Sequence, residues 1–101
     1  MANKLWNLRV FEDGAGLMNL SASDSRGQFL VVSQFTLYAD TTKGRRPSFV
    51  HAADPQVAEP LVERVATELR SLGGEVATGR FGAKMSVALT NDGPLTMLLE
   101  V

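Results

Sequence analysis

The chain has 101 residues, 45% of them hydrophobic and 21% charged, and a net charge of −1 at pH 7. These values are typical of one globular domain and exclude both an intrinsically disordered chain and a generally basic nucleic-acid-binding surface. Because the chain has no cysteine and only one histidine, disulfides, thiolate chemistry and cysteine-based zinc sites are excluded, and we expect no metal or cofactor.

The N-terminal quarter predicts a short helix followed by a loop. Leu5, Leu8 and Phe11 recur at helical spacing, although no capping residue precedes them. The same stretch lacks the apolar core of a signal peptide, and no later run is long enough to cross a bilayer, so we expect a cytoplasmic protein without membrane contact. Residues 12–27 are rich in Gly, Ser, Asp and Asn, which predicts a loop with at most a short strand around Met18 to Ala22.

Residues 28–38, QFLVVSQFTLY, predict a buried central strand, because they are β-branched and aromatic on both faces. Ser33, Gln34 and Thr36 interrupt this run, and burying each polar side chain costs about 1–3 kcal/mol unless it is hydrogen-bonded. Two interpretations remain open. The three side chains bond neighbouring backbone at the end of the strand, or they form the polar floor of a pocket.

A cationic loop follows in TTKGRRPS, residues 41–48, where Lys43, Arg45 and Arg46 fall close together. Loops of this kind are most often solvated surface. They become phosphate contacts only where a second feature points to nucleic acid.

The clearest helix is predicted from residue 55 to 72. Asp54 can cap it, Pro55 fits its first turn, and apolar residues follow at three- and four-residue steps until two glycines end it. Pro60 removes one backbone hydrogen bond, so it either lies in the first turn or marks a kink.

Three strands are predicted after this helix, at 75–79, 84–91 and 94–101, the last two joined by a turn at Asn91 and Asp92. We therefore expect a single domain, 1–101, of the α/β class in its α+β form. Its small, mostly antiparallel or mixed sheet would carry one long helix. So few strands leave sheet edges that must be covered or paired with another subunit.

Three long segments carry a family resemblance: NLRVFEDGAGLMNLS at 7–21, SQFTLYADTTKGRRPSF at 33–49 and GRFGAKMSVALTNDGPLTMLLE at 79–100. They resemble the D-aminoacyl-tRNA deacylase family, also called D-tyrosyl-tRNA deacylases, almost from end to end. Its signatures are Ser-Gln-x-Thr at 33–36 and Asn-x-Gly-Pro-x-Thr at 91–96. Because the family begins with strands and a helix that precede KLWNLRVF, we expect this chain to be a fragment or an N-terminally shortened form.

The resemblance implies a homodimeric enzyme that hydrolyses the ester bond of D-aminoacyl-tRNA, and of glycyl-tRNA mischarged on tRNA-Ala, at the tRNA acceptor end. It also implies that Gly93-Pro94 is a cis dipeptide that reaches into the partner's active site. There its main-chain oxygens would hold the substrate's amino group, so that an L side chain collides with backbone. Glycine and a cis X-Pro bond both suit such a gate.

For catalysis, the resemblance points to Ser33, Gln34, Phe35 and Thr36. Thr36 could be a nucleophile, but the sequence places no base beside it. We therefore favour attack by water assisted by the terminal ribose 2′-hydroxyl. The backbone N–H groups of Gln34 and Phe35 would then stabilise the oxyanion, while the polar side chains orient the terminal adenosine.

The resemblance also assigns binding residues. Phe81, Gly82 and Met85 would line the adenosine pocket, although they could equally be ordinary core. The cations of the 41–48 loop would contact tRNA phosphates, now that a site for the acceptor end is implied next to them. A competing hypothesis is a non-catalytic dimeric relative that binds RNA or only self-associates.

Overall fold

The computed structural model describes residues 1–101 in full. It contains one long helix, seven short elements and long irregular segments. The eight elements are, in order, α1 (Ala2–Asn7), β1 (Phe11–Glu12), β2 (Met18–Leu20), α2 (Ala22–Ser25), β3 (Gln28–Val31), a 3₁₀ helix (Phe35–Tyr38), α3 (Pro55–Ser71) and β4 (Glu75–Thr78).

The strands form two separate pairs. β1 and β2 are antiparallel, whereas β3 and β4 are parallel, with Gln28 opposite Glu75 and Val31 opposite Thr78. The α+β class, the mixed strand directions and the one long helix are therefore confirmed.

The core lies where α3 packs against α1 and β4. Leu69 on α3 is completely buried, as is nearly all of Ala66 one turn earlier. The rings of Trp6 in α1 and Phe29 in β3 approach to 6.1 Å between centroids. Only five residues of the chain are buried, namely Leu69 and Ala66 on α3, Ala2 on α1, and Ser21 and Ala22 at the start of α2.

The prediction for α3 is confirmed. Asp54 caps the helix by accepting a hydrogen bond from the Gln56 backbone N–H at 2.9 Å, and Pro55 occupies its first position. Pro60 is an interior residue of the helix, which continues through it to Ser71, so the alternative that placed this proline in the first turn is wrong. No helix in the chain has both the length and the hydrophobicity needed to span a membrane.

The N-terminal region differs from its prediction at two points. Helix α1 ends at Asn7, so Phe11 belongs to β1 and not to the helix. The short helix α2 was not predicted. A capping box stabilises its start: Ser21 Oγ accepts a hydrogen bond from the Asp24 N–H at 3.1 Å, and the Asp24 carboxylate accepts one from the Ser21 N–H at 2.9 Å. The Ser21 N–H and hydroxyl both donate to the Asp24 carboxylate, and these two hydrogen bonds hold the pKa of Asp24 below its ordinary value of 3.8.

The prediction of a buried central strand over 28–38 is wrong. β3 ends at Val31, and the chain turns into the 3₁₀ helix at Phe35. Residues of β3 alternate between exposed and half-buried, since β4 is their only neighbouring strand. Alternating burial on an edge strand replaces the two buried faces that the apolar run predicted.

The two C-terminal strands, predicted at 84–91 and 94–101, are also absent. Residues 84–101 make no backbone hydrogen bond to any other part of the chain. Strand-like side chains such as Leu89 and Leu98 are about three-quarters exposed. The apolar alternation is therefore present, but no neighbouring strand pairs with it.

Candidate active site

A cavity of about 840 Å³ opens beside the end of β3, between the 3₁₀ helix, the start of α3 and the turn after β4. Its walls are mainly apolar, and they come from three segments that are far apart in the sequence. The 18 lining residues are Val32, Ser33, Gln34, Phe35, Tyr38, Phe49, Ala52, Ala53, Asp54, Pro55, Ala58, Val62, Phe81, Gly82, Ala83, Lys84, Met85 and Val87.

Ser33, Gln34 and Phe35 form the polar end of this cavity. The backbone N–H groups of Gln34 and Phe35 donate to no acceptor in the chain, because they precede the first hydrogen-bonded turn of the 3₁₀ helix. Both residues line the cavity together with Ser33. Neither the Ser33 nor the Gln34 side chain bonds neighbouring backbone, and the Gln34 amide donates to the Thr36 hydroxyl instead. These contacts favour the pocket-floor interpretation of the polar interruption for Ser33 and Gln34.

Thr36 is not among the lining residues. Its hydroxyl oxygen accepts a hydrogen bond from the side-chain amide of Gln34. No carboxylate or imidazole hydrogen-bonds this hydroxyl. Thr36 is therefore linked to the cavity only indirectly, through its hydrogen bond with the Gln34 side chain.

The opposite wall is a tight turn after β4. Gly82 has φ of +72°, a left-handed conformation that favours glycine, and the Ala83 N–H donates to the Arg80 carbonyl at 3.2 Å. The Arg80 N–H also donates to the Met85 sulfur at 3.4 Å. Phe81, Gly82 and Met85 consequently all line the cavity, and the structure brings them together with residues 33–35.

Aromatic and small residues that were not selected from the sequence complete the walls. Phe49 meets Phe35 edge to face, with ring centroids 4.9 Å apart and planes at 72°. Tyr38 follows in the 3₁₀ helix, and Ala58 and Val62 come from α3. The sequence signal for the last two is their helical spacing with Val65 and Leu69, whereas nothing in the local sequence places Phe49 against Phe35.

The cationic loop lies outside the cavity. Lys43, Arg45 and Arg46 are exposed between Asp40 and Ser48, whose backbones pair with each other. Asp40 accepts hydrogen bonds from the Thr42 N–H and hydroxyl, which together with the nearby His51 hold the pKa of Asp40 below 3.8. The structure therefore presents the three cations near the cavity region without making them part of its wall.

Gly93 and Pro94 also lie outside the cavity and are exposed. The peptide bond between them is cis, as the resemblance implied. A β-carbon added to Gly93 would lie 2.6 Å from the Leu95 nitrogen, so the backbone here leaves no room for a side chain. Within one chain, this dipeptide does not belong to the cavity.

No group of three or more His, Asp or Glu side chains lies close enough together to hold a metal ion. What the cavity offers is an apolar chamber with two free backbone donors and a few hydroxyl and amide groups at one end. Such an arrangement suits a flat, mostly apolar ligand with a carbonyl group next to the donors.

Comparison with known proteins identifies close relatives. The family model described as D-Tyr-tRNA(Tyr) deacylase matches residues 1–100. A protein from Roseiflexus sp. (strain RS-1) named D-aminoacyl-tRNA deacylase is 61% identical over 100 residues, and its namesake from Nocardia farcinica (strain IFM 10152) is 62% identical over 100 residues. Each alignment covers 99% of this chain, but 64% and 66% of the respective relatives. The chain thus spans about two-thirds of the length of these relatives.

Among solved structures, the chain is similar to one titled c-Myc DNA Unwinding Element Binding Protein. The TM-score is 0.87 at 39% sequence identity, and the match covers 99% of this chain and 68% of that one. The likeness therefore extends to the whole backbone described above.

Proposed function

Since the chain belongs to the D-Tyr-tRNA(Tyr) deacylase family, we propose that it hydrolyses the ester bond of D-aminoacyl-tRNA and releases a D-amino acid and free tRNA. The relatives named D-aminoacyl-tRNA deacylase support this activity. Because aminoacyl-tRNA is used in the cytoplasm, we place the activity there.

The observation that carries the proposal is the convergence of residues 33–35 and 81–85 on one cavity. These two segments are separated by more than forty residues, yet both line the same chamber. Its volume falls within the range of about 300–1,000 Å³ typical of small-ligand sites. Apolar walls with Phe35, Phe49 and Phe81 suit the terminal adenosine, whose base offers a flat face for aromatic contact.

The hydrolytic step needs a site for the oxyanion that forms when water attacks the ester carbonyl. The free N–H groups of Gln34 and Phe35 are suitable donors, because they are already unpaired and need not break a bond within the protein. Attack by water forms a new carbon–oxygen bond at the ester carbonyl and releases one proton from the water. Collapse of the tetrahedral intermediate then breaks the bond to the ribose oxygen, which takes up one proton, so the products are the free D-amino acid and a tRNA with its terminal hydroxyl restored.

Thr36 is better suited to positioning than to nucleophilic attack. Its hydroxyl is engaged by the Gln34 amide and lacks a basic partner that could accept its proton. A 2′-hydroxyl on the terminal ribose lies next to the ester in any substrate and can assist the water. In this mechanism Thr36 fixes the Gln34 side chain, and Ser33 and Gln34 orient the adenosine.

Gly93-Pro94 is proposed to select D over L substrates in the active site of a second subunit. The dipeptide is exposed and outside the cavity of its own chain, so it could act on a substrate only across a dimer. Main-chain oxygens would hold the substrate ammonium group, and the absence of a side chain at Gly93 allows close approach. Glycyl-tRNA mischarged on tRNA-Ala would also be accepted, because glycine has no side chain to collide with the backbone.

The cations of the 41–48 loop are proposed to contact phosphates of the acceptor stem. They are exposed and carry three positive charges within four residues, on a chain whose net charge is −1. Neutralising phosphates with these side chains would make the binding of tRNA weaken steeply with salt.

The direct test is incubation with D-tyrosyl-tRNA and L-tyrosyl-tRNA in parallel, following release of labelled tyrosine. We expect release from the D substrate only. Equal release from both would contradict the chiral selection, and release from neither would contradict the activity. Light scattering on the same preparation measures the oligomeric state, and a monomer with full D selectivity would rule out selection across a dimer.

A second candidate is non-catalytic binding of nucleic acid. The observation that favours it is the similarity to a structure named for binding a DNA element. Binding of a labelled acceptor-stem RNA or duplex DNA by the protein, with no hydrolysis of D-tyrosyl-tRNA or L-tyrosyl-tRNA, would support this function over ester hydrolysis.

A further inference from the structure

The wall of the cavity contains two formally charged side chains, Asp54 and Lys84. Asp54 is engaged at the N-terminus of α3, where it caps the helix through the Gln56 N–H. Lys84 has no carboxylate oxygen within 4.0 Å, since the one ion pair in the chain joins Arg64 and Glu68. The cavity therefore has one cation whose charge is not neutralised by the protein.

The backbone around Lys84 is held in place by the turn described above. The Ala83 N–H donates to the Arg80 carbonyl, and the sulfur of Met85 accepts from the Arg80 N–H. Lys84 thus lies between two anchored residues at the edge of the cavity, and its exposed four-carbon side chain can extend along the opening. The ammonium group can follow a ligand while its attachment point remains fixed.

The chemistry of the proposed substrate leaves one partner for this cation. The amino-acid carboxyl group is esterified and carries no charge, and the ammonium group would be repelled by a lysine. The negative charge of a terminal aminoacyl nucleotide lies on its 5′ phosphate. A lysine bound there would also orient the ester, because phosphate and ester occupy opposite ends of the ribose.

We propose that Lys84 binds the 5′ phosphate of the terminal adenosine, as a phosphate-binding residue within the cavity and distinct from the exposed cations at 43–46. This inference rests on the proposed function and adds a residue to the same site. Lys84 would act on the last phosphate of the acceptor end, whereas the loop cations would act on phosphates farther along the stem.

The test compares binding of adenosine 5′-monophosphate with binding of adenosine, measured by equilibrium dialysis on the full chain at low salt. We expect the wild type to bind the monophosphate about two- to fivefold more tightly, the range expected for an exposed ion pair. Lys84→Met should bring the ratio of the two affinities close to one without changing the affinity for adenosine. Lys84→Arg should keep the preference.

Lys4→Met is the matched control, because it removes an equal charge from α1, away from the cavity, and should keep the preference for the monophosphate. Loss of the preference in this control, its survival in Lys84→Met, or its absence from the wild type would each overturn the proposal. If Lys84→Met does not fold, Lys84→Gln serves in its place.

Hydrolysis of D-tyrosyl-tRNA by the wild type, measured separately, distinguishes the two proposals. A chain that cleaves the ester but shows no preference for the monophosphate overturns the role of Lys84 alone. A chain that shows the preference through Lys84 but cleaves nothing contradicts the proposed activity alone.

Discussion

Replacing Thr36 by valine removes one hydroxyl while keeping the shape of the side chain, so it separates the two mechanisms considered for the ester. In the structure this hydroxyl has one hydrogen bond, from the Gln34 amide, and does not line the cavity. A hydrogen bond of this kind contributes about 0.5–1.5 kcal/mol, and losing its positioning effect corresponds to about a two- to tenfold slower reaction. Removal of a true nucleophile costs about 10⁴- to 10⁶-fold.

The assay is single-turnover release of labelled tyrosine from D-tyrosyl-tRNA with enzyme in excess, so that the rate reports the chemical step. Thr36→Ser is the matched control, because it keeps the hydroxyl. We expect Thr36→Val and Thr36→Ser to lie within tenfold of the wild type. A folded Thr36→Val variant more than a thousandfold slower, with activity restored in Thr36→Ser, would refute the assisted-water mechanism. Urea unfolding curves of both variants establish that they are folded.

Three further predictions concern stability and selectivity. Leu69→Ala should lower the free energy of unfolding by about 2–5 kcal/mol, because Leu69 is the one large side chain that is fully buried. Leu61 is exposed, so Leu61→Ala should lower the free energy of unfolding far less in the same urea titration. Equal decreases for the two variants would contradict this account of the core. Because the pKa of Asp24 is lowered in the fold, its stabilising effect is present above pH 3.8 and is lost as the pH falls below it. Asp24→Asn should therefore reduce the fall in melting temperature between pH 6 and pH 3, and an unchanged slope would count against the capping box. Gly93→Ala places a β-carbon 2.6 Å from the Leu95 nitrogen, so the loop must move. The selectivity for D over L substrates should therefore drop when D-tyrosyl-tRNA and L-tyrosyl-tRNA are assayed in parallel. Unchanged selectivity would argue against the proposed role of Gly93-Pro94.

The sequence predicted α3 well because its signals are local. A capping aspartate, a proline at the first position and a regular apolar face all act within a few residues of one another. The strand β4 and the short strand at Met18 were also recognised, since each is a compact run next to turn residues. Local chemistry was sufficient for these elements.

Pairing partners were not predictable in the same way. The run from Gln28 to Tyr38 has strand propensity throughout, but only its first four residues find a neighbour in β4. Residues 84–101 have strand-like alternation and no partner at all. Propensity describes how well a residue fits a sheet, whereas a strand exists only where another backbone lies beside it.

The candidate site likewise combines residues that sequence signals identify with residues that join it only through the fold. The family resemblance selected residues 33–36 and also Phe81, Gly82 and Met85, and all of these except Thr36 line the cavity. Phe49, Tyr38 and Lys84 were not selected, because their part in the site depends on how the loop and the turn fold over the end of β3. No residue spacing in the sequence predicts that contact.

The parallel register of β3 and β4 sets the position of one cavity wall relative to the other. Val31 lies opposite Thr78, and each strand then continues directly into one wall, through Ser33 on one side and Phe81 on the other. A slip of one residue would displace one wall against the other by about 3.3 Å and turn its side chains to the opposite face. Insertions within either strand should therefore be tolerated poorly, whereas the exposed loop at 41–48 can vary in length without disturbing the alignment of the two walls.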